Sequence, residues 1–133
     1  MNQRGFATLE VILMVMVIGI LASVAVPRLT SITTSANTAK IQSDLSTIDT
    51  AISIYYMEKG TYPTSLENLS DYLKDIANIK PPTGKAYING TAEQITATTY
   101  EITANKDGDE SRATLDGKTS GEFVNKAKTT SGG

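Results

Sequence analysis

The sequence predicts an α+β protein: one long N-terminal helix, half membrane segment and half amphipathic scaffold, packed on a small antiparallel sheet. Three observations predict it. Residues 11–26 read VILMVMVIGILASVAV, an uncharged apolar run unmatched elsewhere in the chain. Ile41, Leu45, Ile48, Ile52 and Tyr55 then recur at spacings of four and three, as on one face of a helix. Beyond Lys85, Tyr100, Ile102 and Ala104 alternate with Thr99, Glu101 and Thr103, the period of a half-exposed strand.

Composition removes most enzyme chemistry. The 133 residues hold no cysteine and no histidine. There is thus no disulfide framework, no thiolate nucleophile and no imidazole base or metal ligand. A formal charge of −2 gives no basic footprint, so direct nucleic-acid binding is not expected.

Counted from Phe6 to Val26, the first segment has 21 residues. That is about 31 Å of helix, enough to cross a hydrocarbon core. Glu10 lies inside the longer count. A carboxylate in hydrocarbon costs about 2.5–3.5 kcal/mol on insertion scales, so Glu10 needs a cation as partner. The same run also reads as a secretory signal, with Arg4 as a weak positive region and cleavage after Ala25. That alternative, a Sec-secreted or signal-anchored small binding protein that does not polymerise, leaves Glu10 unexplained.

Gln3-Arg4-Gly5-Phe6, then Ala7-Thr8-Leu9-Glu10, the apolar run and Pro27 resemble the N-terminus of type IV pilins and pseudopilins. The resemblance implies a type IV pilin-like fold and a leader, residues 1–5, removed by a prepilin peptidase between Gly5 and Phe6. It also implies N-methylation of Phe6. Residues 6–27 become the transmembrane and filament-core helix, 28–128 the head and 129–133 a flexible tail. Ala7-Thr8 departs from the usual Thr and aliphatic pair without moving the acid.

Cleavage exposes an α-amine at Phe6, cationic at neutral pH. Glu10 of an incoming subunit then meets the Phe6 amine of the subunit before it. A buried charge is costly alone and tolerable when paired, so the pair sets the axial register of a homopolymer. Further implied partners are the inner-membrane assembly platform and its ATPase. Arg4 before the run favours a cytoplasmic N-terminus, although Arg28 on the far side weakens this. The expected route is a single-pass prepilin in the cytoplasmic membrane, then an extracellular or periplasmic filament.

Gly19 and Pro27 weaken the helix between them, at about 1 and 3 kcal/mol in a helix interior. The resemblance implies that residues 19–27 melt in the filament. After Pro27 the apolar stripe continues to about Lys59, while Lys40, Asp44, Asp49 and Glu58 are expected to point away from it. Gly60 and Pro63 end the helix.

Gly60-Thr61-Tyr62-Pro63 resembles the turn after the long helix in pseudopilins. Thr64 and Glu67 predict a capping box opening a short helix through about Ile76, with Leu66, Leu69, Leu73 and Ile76 inward. Pro82-Thr83-Gly84-Lys85-Ala86-Tyr87 shows the P-x-G-x-x-Y spacing of type II secretion major pseudopilins, with Thr83 where those usually carry Trp. Asn89-Gly90 and Asp107-Gly108 predict hairpins joining strands near 86–88, 94–104, 110–116 and 121–126 in one sheet of three or four strands.

Asn105, Asp107, Asp109, Glu110 and Asp116 are rich in oxygen. Type II secretion pseudopilins bind calcium in C-terminal loops, so the resemblance offers Asp107, Asp109 and Asp116 as calcium ligands. The Asp-Gly turn alone also accounts for the cluster. No other cofactor is expected. Lys118, Lys126 and Lys128 read as solvated surface, and the sequons at Asn68 and Asn89 carry no assigned function.

The expected function is non-enzymatic: the major subunit of a type IV filament serving adhesion and motility, DNA uptake or protein secretion.

Overall fold

The computed structural model describes residues 3–126, the side chains of 25–27 excepted. Helix α1 spans Gln3–Lys59. The strands are β1 (Lys85–Ile88), β2 (Thr91–Gln94), β3 (Glu101–Ala104) and β4 (Ser111–Thr114), with short 3-10 turns at Leu66–Leu69, Ile76–Asn78 and Ser120–Glu122. The chain divides into two compact units, Met1–Thr33 and Thr34–Gly133. The fold class is the α+β one that the sequence predicts.

In the second unit α1 is built as its periodicity requires. Ile41, Leu45, Ile48 and Ile52 are fully buried, each such side chain contributing about 1.5–3 kcal/mol when removed from water. Hydroxyls that would otherwise compete with the helix are satisfied within it. Thr47, Thr50 and Ser53 each donate to the carbonyl four residues earlier. Gly60 ends the helix with φ +74°, and its N–H donates to the Tyr56 carbonyl at 2.8 Å. Only glycine takes that left-handed position without a Cβ penalty.

Two antiparallel hairpins pack on this face. β1 pairs with β2 from Lys85↔Gln94 to Ile88↔Thr91, and β3 with β4 from Glu101↔Thr114 to Ala104↔Ser111. Ala86, Tyr100, Ala113, Leu115, Leu69 and Phe123 complete the core. Asn89 and Gly90 both take positive φ, 49° and 87°, the turn that an Asn-Gly dipeptide favours.

Three expectations are corrected. The hairpins form two separate sheets of two strands, not one sheet. The segment expected as one strand over 94–104 is broken: Ile95 adds one last bond to the β1–β2 pairing, its N–H donating to the Gly84 carbonyl at 2.8 Å, and residues 95–100 belong to neither strand. The expected strand at 121–126 is a 3-10 turn whose Glu122 carboxylate accepts the Thr119 N–H at 2.8 Å. This segment meets β1–β2 at its tip instead, where Asn89 and Gly90 donate to the Glu122 and Val124 carbonyls.

The short helix after Pro63 is also shifted. Its cap is Ser65, not Thr64, and the reciprocal acceptor is Asn68, whose Oδ1 takes the Ser65 N–H at 3.1 Å and the Thr64 N–H at 3.2 Å. It closes after one 3-10 turn, and a second turn follows Asp75 in the left-handed region at φ 62°. Its inward residues are as expected: Leu69 is buried, and Leu66, Leu73 and Ile76 pack against the core.

Candidate functional site

Among the described residues, the first unit presents an exposed apolar surface. From Phe6 to Ile32 the large apolar side chains among the described residues are 50–64% exposed. The segment is long and apolar enough to cross a membrane. So large an unburied patch in water is the mark of a membrane or a partner surface.

Glu10 lies within it, edging a shallow groove with Leu13, Met14, Val17 and Ile18. Among the described residues it has no ion-pair partner. The Gly5–Phe6 bond lies inside the first turns of α1, where Thr8 Oγ1 donates to the Arg4 carbonyl at 2.9 Å. A Cβ added to Gly5 or Gly19 would meet nothing within 4 Å, so packing within the chain requires neither glycine. Residues 19–27 are helical here, and the expected melting concerns the filament. The expected tail at 129–133 lies outside the described residues.

In the second unit, polar side chains of α1 fix each hairpin. Asn37 Nδ2 donates to the Thr83 and Lys85 carbonyls at 3.1 and 2.9 Å. Thr38 Oγ1 accepts the Tyr87 N–H at 2.7 Å, and Lys40 donates to the Lys80 carbonyl at 3.0 Å. Gly84 closes this loop at φ +107°, where an added Cβ would stand 3.3 Å from Asn37 Nδ2. These contacts hold β1–β2.

Asp44 and Asp49 hold β3–β4, against the expectation that they point away. Asp44 Oδ2 accepts from Tyr100 Oη at 2.7 Å and Lys40 Nζ at 2.6 Å. Asp49 accepts the Ala113 N–H at 2.8 Å through Oδ1 and Arg112 at 3.1 Å through Oδ2. Burial and the hydrogen bond to Asp44 push the Tyr100 hydroxyl well above the ordinary tyrosine value. Beyond α1's end, a hydrogen bond to Glu58, with desolvation, pushes Tyr72 up to about 12. Periodicity assigned the apolar stripe and missed these flanking groups. The available signal was small polar residues one position from stripe residues.

The residues expected for calcium, Asp107, Asp109 and Asp116, lie in two turns of the head. Among the described residues no three acidic side chains are grouped to hold a metal ion. Asp107 and Asp109 lie in the β3–β4 loop, where Asn105 Oδ1 accepts the Asp109 N–H at 3.1 Å. Asp116 takes φ 51° in the turn after β4 and accepts from Thr96 at 3.2 Å. The Asx-type turn accounts for the loop.

Fold and surface together define a class: an α+β protein of pilin-like build, with a long N-terminal helix whose first half is apolar and bare. The chain is 35% identical to the type II secretion system core protein G of Klebsiella michiganensis over 68 residues, 51% of this chain and 48% of that protein. With the protein of the same name from Escherichia coli K12 it shares 33% identity over 86 residues, 65% of this chain and 58% of the relative. The Vibrio cholerae core protein G is 33% identical over 80 residues, covering 60% and 55%. These likenesses support a place in the type IV pilin/pseudopilin family. The chain spans about half the length of the curated relatives it matches. No family model and no solved structure matches it.

Proposed function

We propose that this protein is a structural, non-enzymatic filament subunit of a secretion machine of type II kind, cut between Gly5 and Phe6, methylated at Phe6 and polymerised through its N-terminal helix. The bare apolar surface of residues 6–32, interrupted by the lone acid Glu10, carries the reading. Such a surface needs lipid before assembly and other copies of itself afterwards. Glu10 needs a cation in either place, and the amine freed at Phe6 supplies one. The type II secretion core proteins G favour secretion over surface adhesion, motility or DNA uptake.

In this scheme the prepilin sits in the cytoplasmic membrane with its N-terminus inside. A prepilin peptidase and an assembly platform with its ATPase act on it, and the head lies outside. Gly19 to Pro27 unwinds as helices pack and lends the polymer extensibility. Slow hydrogen exchange across 19–27 in assembled filaments would refute that part.

Mass spectrometry of the mature N-terminus tests the whole. A chain starting at methylated Phe6 is expected; one starting at Val26 makes this a secreted binding protein. Glu10→Val should keep insertion and processing while filament yield collapses. Normal filaments from that variant would refute the pairing.

A further inference from the structure

At the C-terminal end of α1, Tyr56 and Tyr62 stack with ring centroids 4.3 Å apart and planes 18° from parallel. With Asp49, Met57, Glu110 and Arg112 they line an open groove of about 470 Å³. Met57 is 82% exposed, the most exposed large apolar side chain of the head among the described residues. The groove's charged groups are Asp49, paired with Arg112 at 3.1 Å, and Glu110, 3.8 Å from the same guanidinium. Asp109 beside them has no ion-pair partner among the described residues, so the rim carries net negative charge.

At the other end of the head the loop Lys80-Pro81-Pro82-Thr83-Gly84-Lys85 has the complementary character. Two prolines stand between two exposed lysines, neither with an ion-pair partner among the described residues. The loop is held ready: Asn37 fixes its Thr83 and Lys85 carbonyls and Lys40 its Lys80 carbonyl. Proline-rich segments lose little entropy on docking and pack well on aromatic faces. Lysines beside them find both the tyrosine faces and the acids.

The loop is tied to α1 at residues 37–40, and the groove lies at 49–57. Anchors and groove together span residues 37 to 57, about 30 Å of helix, with about 14 Å between residue 40 and residue 49. A loop fixed at one end of that rod cannot fill a groove at the other, so the two surfaces meet only between copies. Between the like-oriented copies of a filament such a contact is head-to-tail and repeats along the polymer.

We infer that the Lys80–Lys85 loop of one copy docks its prolines on the Tyr56–Tyr62 platform of the next, with Lys80 and Lys85 against Asp109 and Glu110. This contact rests on the filament reading and adds a head interface to the one made by the N-terminal helix.

The test uses the full-length chain assembled in cells. The sequence has no cysteine, so Lys85→Cys with Asp109→Cys in one chain introduces the sole thiols. Mild oxidation of filaments should give a ladder of dimers, trimers and longer species, while either single variant gives none. Lys80→Glu with Lys85→Glu should cut filament yield about tenfold or more by placing like charges together, and adding Asp109→Lys with Glu110→Lys should restore it. Normal filaments without a ladder, or a charge swap that fails to rescue, would overturn the contact while leaving the polymer intact. If the unaltered chain, correctly processed at Phe6, forms no filament, the filament reading itself falls and the contact with it.

Discussion

The Tyr100 hydroxyl reaches across 56 positions of sequence to donate to Asp44 Oδ2 at 2.7 Å. Tyr100 is 2% exposed, so its hydroxyl has little water to turn to. The same oxygen takes Lys40, whose ammonium also holds the Lys80 carbonyl. One carboxylate on α1 thereby links the segment leading into β3 to the loop leading into β1.

Removing that hydroxyl should loosen the head without disordering it. Tyr100→Phe leaves Asp44 with Lys40 and fills the same volume, so a loss of about 1 kcal/mol is expected. Asp44→Ala strips a partner from a buried hydroxyl and should cost more, about 1–3 kcal/mol. Denaturant unfolding of the two variants checks the order.

The raised Tyr100 value fixes the sign of an alkaline effect. Its proton is held more tightly in the folded chain than in the unfolded one. The corresponding stability is complete below about pH 10, where the unfolded tyrosine keeps its proton, and falls as pH rises beyond it. Tyr72, pushed up to about 12, adds in the same direction. Unfolding midpoints should therefore fall above pH 10, and phenolate absorbance should show Tyr100 ionising only with unfolding. A Tyr100→Phe chain should lack that last step.

Asp49 separates a charge from a hydrogen bond. It accepts the Ala113 N–H at 2.8 Å and pairs with the half-exposed Arg112 at 3.1 Å. Exposed ion pairs contribute about 0–1 kcal/mol, whereas a backbone N–H left unsatisfied costs about 1–3 kcal/mol. Asp49→Ala should thus destabilise clearly, and Asp49→Asn, which keeps an acceptor oxygen, should recover most of the loss. Equal losses in thermal unfolding would show the charge to dominate.

Gly84→Ala should cost about 1–3 kcal/mol, since φ +107° suits no side chain. The neighbouring Asn37 amide, 3.3 Å from the new Cβ, would have to shift and release the Thr83 or Lys85 carbonyl. Hydrogen exchange should quicken through β1 and β2 more than through β3 and β4.

Gly5 offers a contrast. Nothing lies within 4 Å of a Cβ there, and Ala is the better helix former by about 1 kcal/mol. Gly5→Ala should leave the fold untouched. Loss of the Phe6 terminus in that variant, read by mass spectrometry, would assign the glycine to the peptidase.

Local patterns in the chain determined the elements that depend on neighbours a few residues apart. The apolar run, the stripe from Ile41 to Ile52, the stop at Gly60 and the turn at Asn89-Gly90 all follow from periodicity and backbone preference, which act over one or two turns. Tertiary structure decided whatever depends on residues far apart. The T-x-x-E spacing pointed to Thr64 as the cap, and the placement of Asn68 chose Ser65 instead. Asp44 and Asp49, which an amphipathic pattern puts toward water, face the second hairpin because Tyr100 and the Ala113 N–H need acceptors there. The sheet split into two hairpins: Ile95 bonds to Gly84 at the end of the first, and Tyr100 is buried in the core just before the second begins. A buried donor must find an acceptor wherever the packed chain puts one, and that position is a property of the assembled core rather than of any local stretch.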